Sequence, residues 1–207
     1  TITTAKNSVQ ALAIDGKTFM LTTGVDPIVG TDKNDVITGV VSGLVSEGTL
    51  NSKDTIDGGA GTDTLRLDMK GNLTALTGSV SNVENVELTN ATTIARTFDA
   101  KNISGVEKYT LDSAKGITLS NLAATGIEVA YKGTQGDTTI AFAAKATDAT
   151  NDAMSISLNG VGAAKVLNTD GVTEKTAQVN SQITMAGIEN VTLKTTGTES
   201  FVDLSAM

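Results

Sequence analysis

Four aspartates stand in two pairs with the same internal spacing: Asp26 and Asp35 are nine residues apart, and so are Asp54 and Asp63. Each is followed two positions later by an aliphatic residue, Ile28, Ile37, Ile56 or Leu65. Around the last aspartate the chain reads Gly58-Gly59-Ala60-Gly61-Thr62-Asp63-Thr64-Leu65-Arg66, a complete match to the nonapeptide G-G-x-G-x-D-x-U-x. The chemistry such a unit offers is the binding of a hard divalent cation. Carboxylate and backbone carbonyl oxygens are hard donors, and Ca2+ accepts about six to eight of them in loose geometry. Glycines allow the turn to visit positive φ and to converge its carbonyl oxygens on one ion. The candidate ligands are therefore Asp26, Asp35, Asp54 and Asp63, with Gly30, Gly58, Gly59 and Gly61 shaping the turns and Asp32 and Asp57 as further oxygen donors.

Parallel β-rolls are the element that positions such groups. Each nonapeptide supplies one turn and one very short strand, and two of them complete a coil. A cation then sits between one turn and the turn two units on, along the same edge. Copies other than the last are degraded: Gly30-Thr31-Asp32-Lys33-Asn34-Asp35 keeps its first glycine but places Lys33 where another belongs. Around Asp26 only Gly24 remains, with Pro27 after the aspartate, and Thr49-Leu50-Asn51-Ser52-Lys53-Asp54 has no glycine. From Asp35 to Asp54 is 19 residues, one more than two periods, so residues 38–53 read as an insertion that loops out and returns in phase. Asp26 is then expected to stack over Asp54, and Asp35 over Asp63. The competing account is that Asp and Asn merely punctuate β-turns, and it is strongest for Asp26 and Asp54.

A second rhythm follows. Val80, Val83, Val86 and Leu88 recur at steps of 3, 3 and 2, as do Ile103, Val106, Tyr109 and Leu111, and again Met185, Ile188, Val191 and Leu193. Glu84, Glu107 and Glu189 each follow the second apolar residue, and a shifted version reads Gly126-Ile127-Glu128-Val129-Ala130-Tyr131. A step of 3 suits a corner, and a step of 2 suits a strand with alternate residues inward. The glutamates, Glu128 included, step by 23, 21 and 61 residues, and the last interval reads as three coils of ~20 residues. They are expected to point outward at the corners, screened by solvent. A leucine-rich repeat would want Asn three residues after the last apolar position, where Ala91, Ala114 and Thr196 stand. The Val, Thr, Ile and Gly content disfavours helix. Residues 141–153 are left as one short helix or a loop.

Composition narrows the function. The chain of 207 residues has no Cys, His or Trp and 3% aromatics, so its core must come from small and β-branched side chains in a regular lattice. The net charge of −8, from 23 acidic and 15 basic residues, argues against nucleic acid, which needs a basic face. No apolar run reaches membrane-spanning length, so membrane insertion is not expected. Lacking His and Cys, the chain has no common acid–base or thiol machinery, and no zinc or serine-hydrolase motif is present. No signal peptide is read, and both ends lie in mid-pattern, as in a piece of a longer protein.

The stretches Phe19-Met20-Leu21-Thr22-Thr23-Gly24-Val25-Asp26, Gly30-Thr31-x-x-Asn34-Asp35 and Thr49-Leu50-Asn51-Ser52-x-Asp54-x-Ile56-Asp57-Gly58-Gly59-x-Gly61-Thr62-Asp63 resemble the central portion of Gram-negative surface-layer proteins. They are also similar to large RTX-type adhesins exported by type I systems. The resemblance is firm over residues 19–68 and looser beyond. It implies a calcium-folded, extracellular, lattice-forming protein at the cell surface, whose partners are further copies of itself. Cell-surface polysaccharide or lipopolysaccharide would be engaged through other parts of the parent protein. The alternative is an adhesin or ligand-binding module, with loops 38–53 or 159–182 as contact points, or else a non-catalytic part of a secreted enzyme. The expected fold is all-β, a right-handed parallel β-solenoid: a leading strand and turn over 1–20, a calcium β-roll over 21–70, and a β-helix over 71–207, in one continuous domain.

Overall fold

The computed structural model describes residues 16–133, 136–163, 166–167, 174–176, 178 and 180–205. In chain order its first strands are β1 (Thr18–Met20), β2 (Pro27–Thr31), β3 (Val36–Val41), β4 (Thr55–Gly59), β5 (Thr64–Met69) and β6 (Ser79–Ser81). Then come β7 (Asn85–Asn90), β8 (Arg96–Asp99), β9 (Lys108–Ser113), β10 (Ile117–Leu122), β11 (Glu128–Lys132) and β12 (Thr138–Phe142). The last are β13 (Ala153–Asn159), β14 (Val166–Leu167), β15 (Glu174–Thr176), β16 (Ser181–Met185), β17 (Asn190–Thr195) and β18 (Val202–Ser205). Among the described residues there is no helix. The stretch 141–153 is the end of β12, a loop, and the first residue of β13.

The fold is all-β and built from stacked parallel coils. One long wall runs β1-β3-β5-β7-β9-β11-β13-β17, every neighbour parallel. Opposite it lie two shorter walls, β2-β4-β6 at the start and β8-β10-β12-β16-β18 later. The two overlap in the middle: Leu73 bridges Phe98 and Val80 bridges Ile103, so the central coils have three sides. The partner wall is thus handed over from one sheet to another along the stack.

The sequence dictates this because each strand alternates. In β5, Leu65, Leu67 and Met69 are buried while Arg66 between them is exposed. Strand pairing then lines inward residues into columns, such as Ile37, Leu65, Val86, Tyr109, Val129 and Ile156 in the long wall. Opposite them run Phe98, Leu119, Ile140 and Met185. Phe98 meets Tyr109 edge-on with ring centroids 6.3 Å apart, closing the core between walls. Left-handed backbone at Asn82, Asn102 and Asn121 turns the corners, since Asn tolerates positive φ better than most residues. Their side chains donate to the coil before, Asn102 to the Leu76 carbonyl at 2.7 Å and Asn121 to Asp99 at 2.8 Å.

Coil length varies more than the rhythm implied. Val36 pairs with Thr64, Thr64 with Asn85, Asn85 with Lys108, and Lys108 with Glu128. The long first interval contains the insertion, and it does return in phase. It begins only after Val41, however, because residues 38–41 continue β3. The loop folds back through Thr49 and Leu50, whose N–H groups both donate to the Val40 carbonyl. The interval from Glu128 to Glu189 holds two coils rather than three, since Glu128 pairs with Ser155 and Ser155 with Thr192. The surplus lies between β13 and β16, where β14 and β15 form an antiparallel pair. Residues 1–15 of the expected leading segment, and part of the expected contact loop 159–182, lie outside the described residues.

Leu65 is fully buried in the long-wall column, whereas Leu193, the last member of that column, is 47% exposed. Leu65→Ala should cost about 2–5 kcal/mol in urea denaturation, and Leu193→Ala less than about 1 kcal/mol. Equal losses would contradict the column.

A carboxylate ladder at the coil corners

Each of the four aspartates sits immediately before a strand. Asp26 precedes β2 and Asp54 precedes β4 on one edge, while Asp35 precedes β3 and Asp63 precedes β5 on the other. Stacking brings them together in the expected pairs. The Asp26 N–H donates to Asp54 Oδ1 at 2.9 Å, and the Asp35 N–H to Asp63 Oδ1 at 2.6 Å. Each carboxylate thereby holds the backbone of the coil before it. At the upstream end Asp35 Oδ1 accepts the N–H of Lys17 at 2.5 Å.

The remaining oxygens are distributed unequally. Asp35 Oδ2 takes the Thr31 N–H, and the Thr31 hydroxyl donates to the same carboxylate. Thr22 serves Asp26 in the same way through its N–H and hydroxyl. Asp54 Oδ2 accepts the Asn51 N–H at 2.7 Å. Asp63 Oδ2 is buried and has no hydrogen-bond partner.

The glycines explain how the coils come so close. A Cβ on Gly30 would lie 1.7 Å from the Gly58 carbonyl oxygen, and one on Gly58 would lie 1.8 Å from the Asn82 carbonyl oxygen and 2.6 Å from Asp63 Oδ2. Three successive coils therefore touch backbone to backbone at that point. Gly59 and Gly61 take φ of 96° and 128°, the left-handed side that the turn requires.

Two further expected ligands lie off the hydrogen-bonded stack, Asp57 still near enough for its charge to bear on Asp63. Asp32 is exposed and lies 3.6 Å from the Lys33 ammonium, outside the stack. Asp57 accepts the Gly59 N–H at 3.1 Å and the Asn82 side chain at 2.8 Å, a turn-closing role. Among the described residues no three His, Cys, Asp or Glu side chains gather as a metal-holding group. Any cation here would draw most of its ligands from carbonyls and water.

Sequence reasoning missed two ladder members. Glu84 is not simply an outward corner residue: its Oε2 accepts the Asp63 N–H at 2.7 Å, continuing the aspartate stack. Far downstream, Glu189 Oε2 accepts the N–H of the buried Asp152 at 2.8 Å. The signal was present in the recurring glutamates, but nothing in their spacing distinguishes a capping carboxylate from a solvated one. Glu107 and Glu189 are exposed, as expected for all three, and Glu84 is half-buried.

Charge in the ladder is balanced against burial. Burial raises the Asp63 carboxyl above its ordinary 3.8; the Asp35 N–H offsets part of this, and the charges of Asp35, Glu84 and Asp57 add to it. Asp54 is also raised, by burial and by Asp26, against the N–H groups of Asp26 and Asn51. At Asp35 burial is outweighed by the Lys17 and Thr31 N–H groups, the Thr31 hydroxyl and the Lys17 charge, which hold its carboxyl low.

No family model matches the chain, and no curated protein matches it in sequence. The fold and its corners define an all-β parallel solenoid with an internal carboxylate ladder.

These shifts set a pH dependence. Asp54 and Asp63 bind protons more tightly when folded, so their ionisation above 3.8 destabilises the fold. With chelator present, stability should rise as pH falls from neutral into the window just above that value. Asp35, with its lowered carboxyl, contributes stability that is lost only on further acidification. Melting temperature against pH in chelator checks this: Asp63→Asn should flatten the rise, and an identical profile in both proteins would contradict it.

Proposed function

We propose that the chain is a calcium-stabilised structural segment of an extracellular surface-layer protein, one that self-assembles into a lattice on the cell surface. One observation carries the reading: four aspartates stack in two registers between backbone-tight glycine turns, and Asp63 keeps a buried carboxylate oxygen without a partner. A buried carboxylate with one oxygen bare is costly unless a cation or a proton compensates it. Ca2+ suits oxygen-only surroundings and irregular geometry. The net charge of −8 further favours cation uptake.

The resemblance to surface-layer and RTX-type proteins supplies the location. Calcium is scarce in the cytoplasm and plentiful outside, so a chain folded by it is unfolded during type I export and rigid afterwards. The cysteine-free sequence agrees with that route. No catalytic role is assigned. Attachment to polysaccharide or lipopolysaccharide falls to other parts of the parent protein.

An adhesin or ligand-binding module is the second reading. It is favoured by Leu44 and Val45, which are 60% and 85% exposed in the loop after β3, an apolar pair set on a polar surface.

Calcium should raise the melting temperature, and excess chelator should lower it, because a ligand of the native state adds stability by mass action. Asp63→Ala should weaken binding more than the same change at Asp26. With the full-length protein, electron microscopy should show ordered sheets that disperse on chelation. A monomer that stays monomeric with calcium and binds a glycan through residues 42–54 would transfer the assignment to the adhesin.

A further inference from the structure

The unpartnered oxygen of Asp63 has a twin. Asp152 is 5% exposed, and its Oδ2 also lacks any hydrogen-bond partner, while its Oδ1 accepts the Thr125 hydroxyl at 3.0 Å. Asp152 precedes β13 as Asp63 precedes β5. Its backbone repeats two bonds of Asp63, while its Oδ1 takes a hydroxyl where that of Asp63 takes the Asp35 N–H. The Asp63 N–H donates to Glu84 and the Asp63 carbonyl accepts from the N–H of Asn85; the Asp152 N–H donates to Glu189 and the Asp152 carbonyl accepts from the N–H of Asn190. The capping residues are Val83-Glu84-Asn85-Val86 in one case and Ile188-Glu189-Asn190-Val191 in the other.

The correlation discriminates. Where the next coil supplies an aspartate cap, as at Asp26 and Asp35, both carboxylate oxygens of the capped residue find donors. Where the next coil supplies a glutamate cap, at Asp63 and Asp152, one oxygen stays bare. The glutamate reaches the same backbone N–H and so brings a second carboxylate to a corner that holds an unfilled buried oxygen. Among the described residues neither Asp152 nor Glu189 pairs with a lysine or arginine. Glu189 is exposed while Asp152 is buried, so the corner opens to solvent on one side and has an enclosed anion on the other.

We propose that Asp152 and Glu189 form a divalent-cation site across two neighbouring coils, remote from the glycine-rich segment, with Asp63 and Glu84 as its counterpart. The side chains that meet at the corner, two carboxylates and the Thr125 hydroxyl, offer only oxygen, so a hard cation of the calcium class is the occupant. The ion neutralises an inward carboxylate that the strand register forces into the wall, and it ties β13 to β17, the last strand of the long sheet.

The site shares with the proposed function only the choice of ion, and variants separate the two. Isothermal titration of the 207-residue chain with calcium, after chelator treatment, reads the number of ions bound. Asp152→Asn should remove one ion and leave unchanged those lost in Asp63→Asn. Glu189→Gln, on the exposed side, should weaken the same ion by at least about tenfold. In native protein, hydrogen exchange of Asn190–Thr195 should slow on calcium addition, and it should not in Asp152→Asn. Unchanged stoichiometry in Asp152→Asn with unchanged exchange overturns the site. Loss of all ions in Asp63→Asn with none lost in Asp152→Asn also overturns it while sparing the calcium β-roll; an ion lost in Asp152→Asn with none lost in Asp63→Asn supports the Asp152–Glu189 site and sinks both the β-roll and the Asp63–Glu84 counterpart. Should Asp152→Asn fail to fold, an undiminished affinity in Glu189→Gln is sufficient to reject the proposal.

Discussion

A carboxylate held beneath the backbone N–H of the preceding coil is the contact on which the rest of this molecule depends. At a corner the chain leaves one wall for another, and the N–H just before a strand falls outside the regular sheet ladder. Left bare, that group would carry the cost of an unsatisfied buried donor. Asp54, Asp63, Glu84 and Glu189 each supply the missing acceptor from the following coil. Because a charged acceptor makes a stronger bond than a neutral one, the corner becomes a point of register. A slip of one residue would turn every inward side chain outward, and the carboxylate resists it where β2, β3, β5 and β13 start.

The same device has a cost that varies along the stack. At Asp35 the N–H and hydroxyl donors outweigh burial and hold the carboxyl low, whereas at Asp63 burial prevails and raises it. The coils are otherwise tolerant. Between fixed corners, the loop after β3 and the antiparallel β14–β15 excursion lengthen single coils without disturbing the columns of Leu, Val and Ile on either side. This is the behaviour of a quasi-one-dimensional stack, in which each coil answers only to its neighbours.

Much of this was legible beforehand. The nine-residue spacing, with an aliphatic residue two places after each aspartate, correctly places Ile37 and Leu65 in one column and Ile28 and Ile56 in another. The 3-3-2 rhythm likewise marks Val83, Val86 and Leu88, all fully buried. What escaped did so for physical reasons. The wall change rests on Leu73 and Phe98, whose pairing spans two coils and leaves no local pattern. Asp152 follows Thr147-Asp148-Ala149-Thr150-Asn151, which has no glycine, and so it lacks the signature that betrays Asp63. Asp32 occupies a variable place of the nonapeptide and faces solvent beside Lys33.

The handover of the partner wall leaves the long wall, among the described residues, as the sheet that runs past both of its partners. Where those partners change places each is carried on by a single bridge, Leu73 to Phe98 in one and Val80 to Ile103 in the other. Continuity of the stack through that stretch therefore falls to the pairing of β5, β7 and β9, the seam at which coils of two cross-sections are joined.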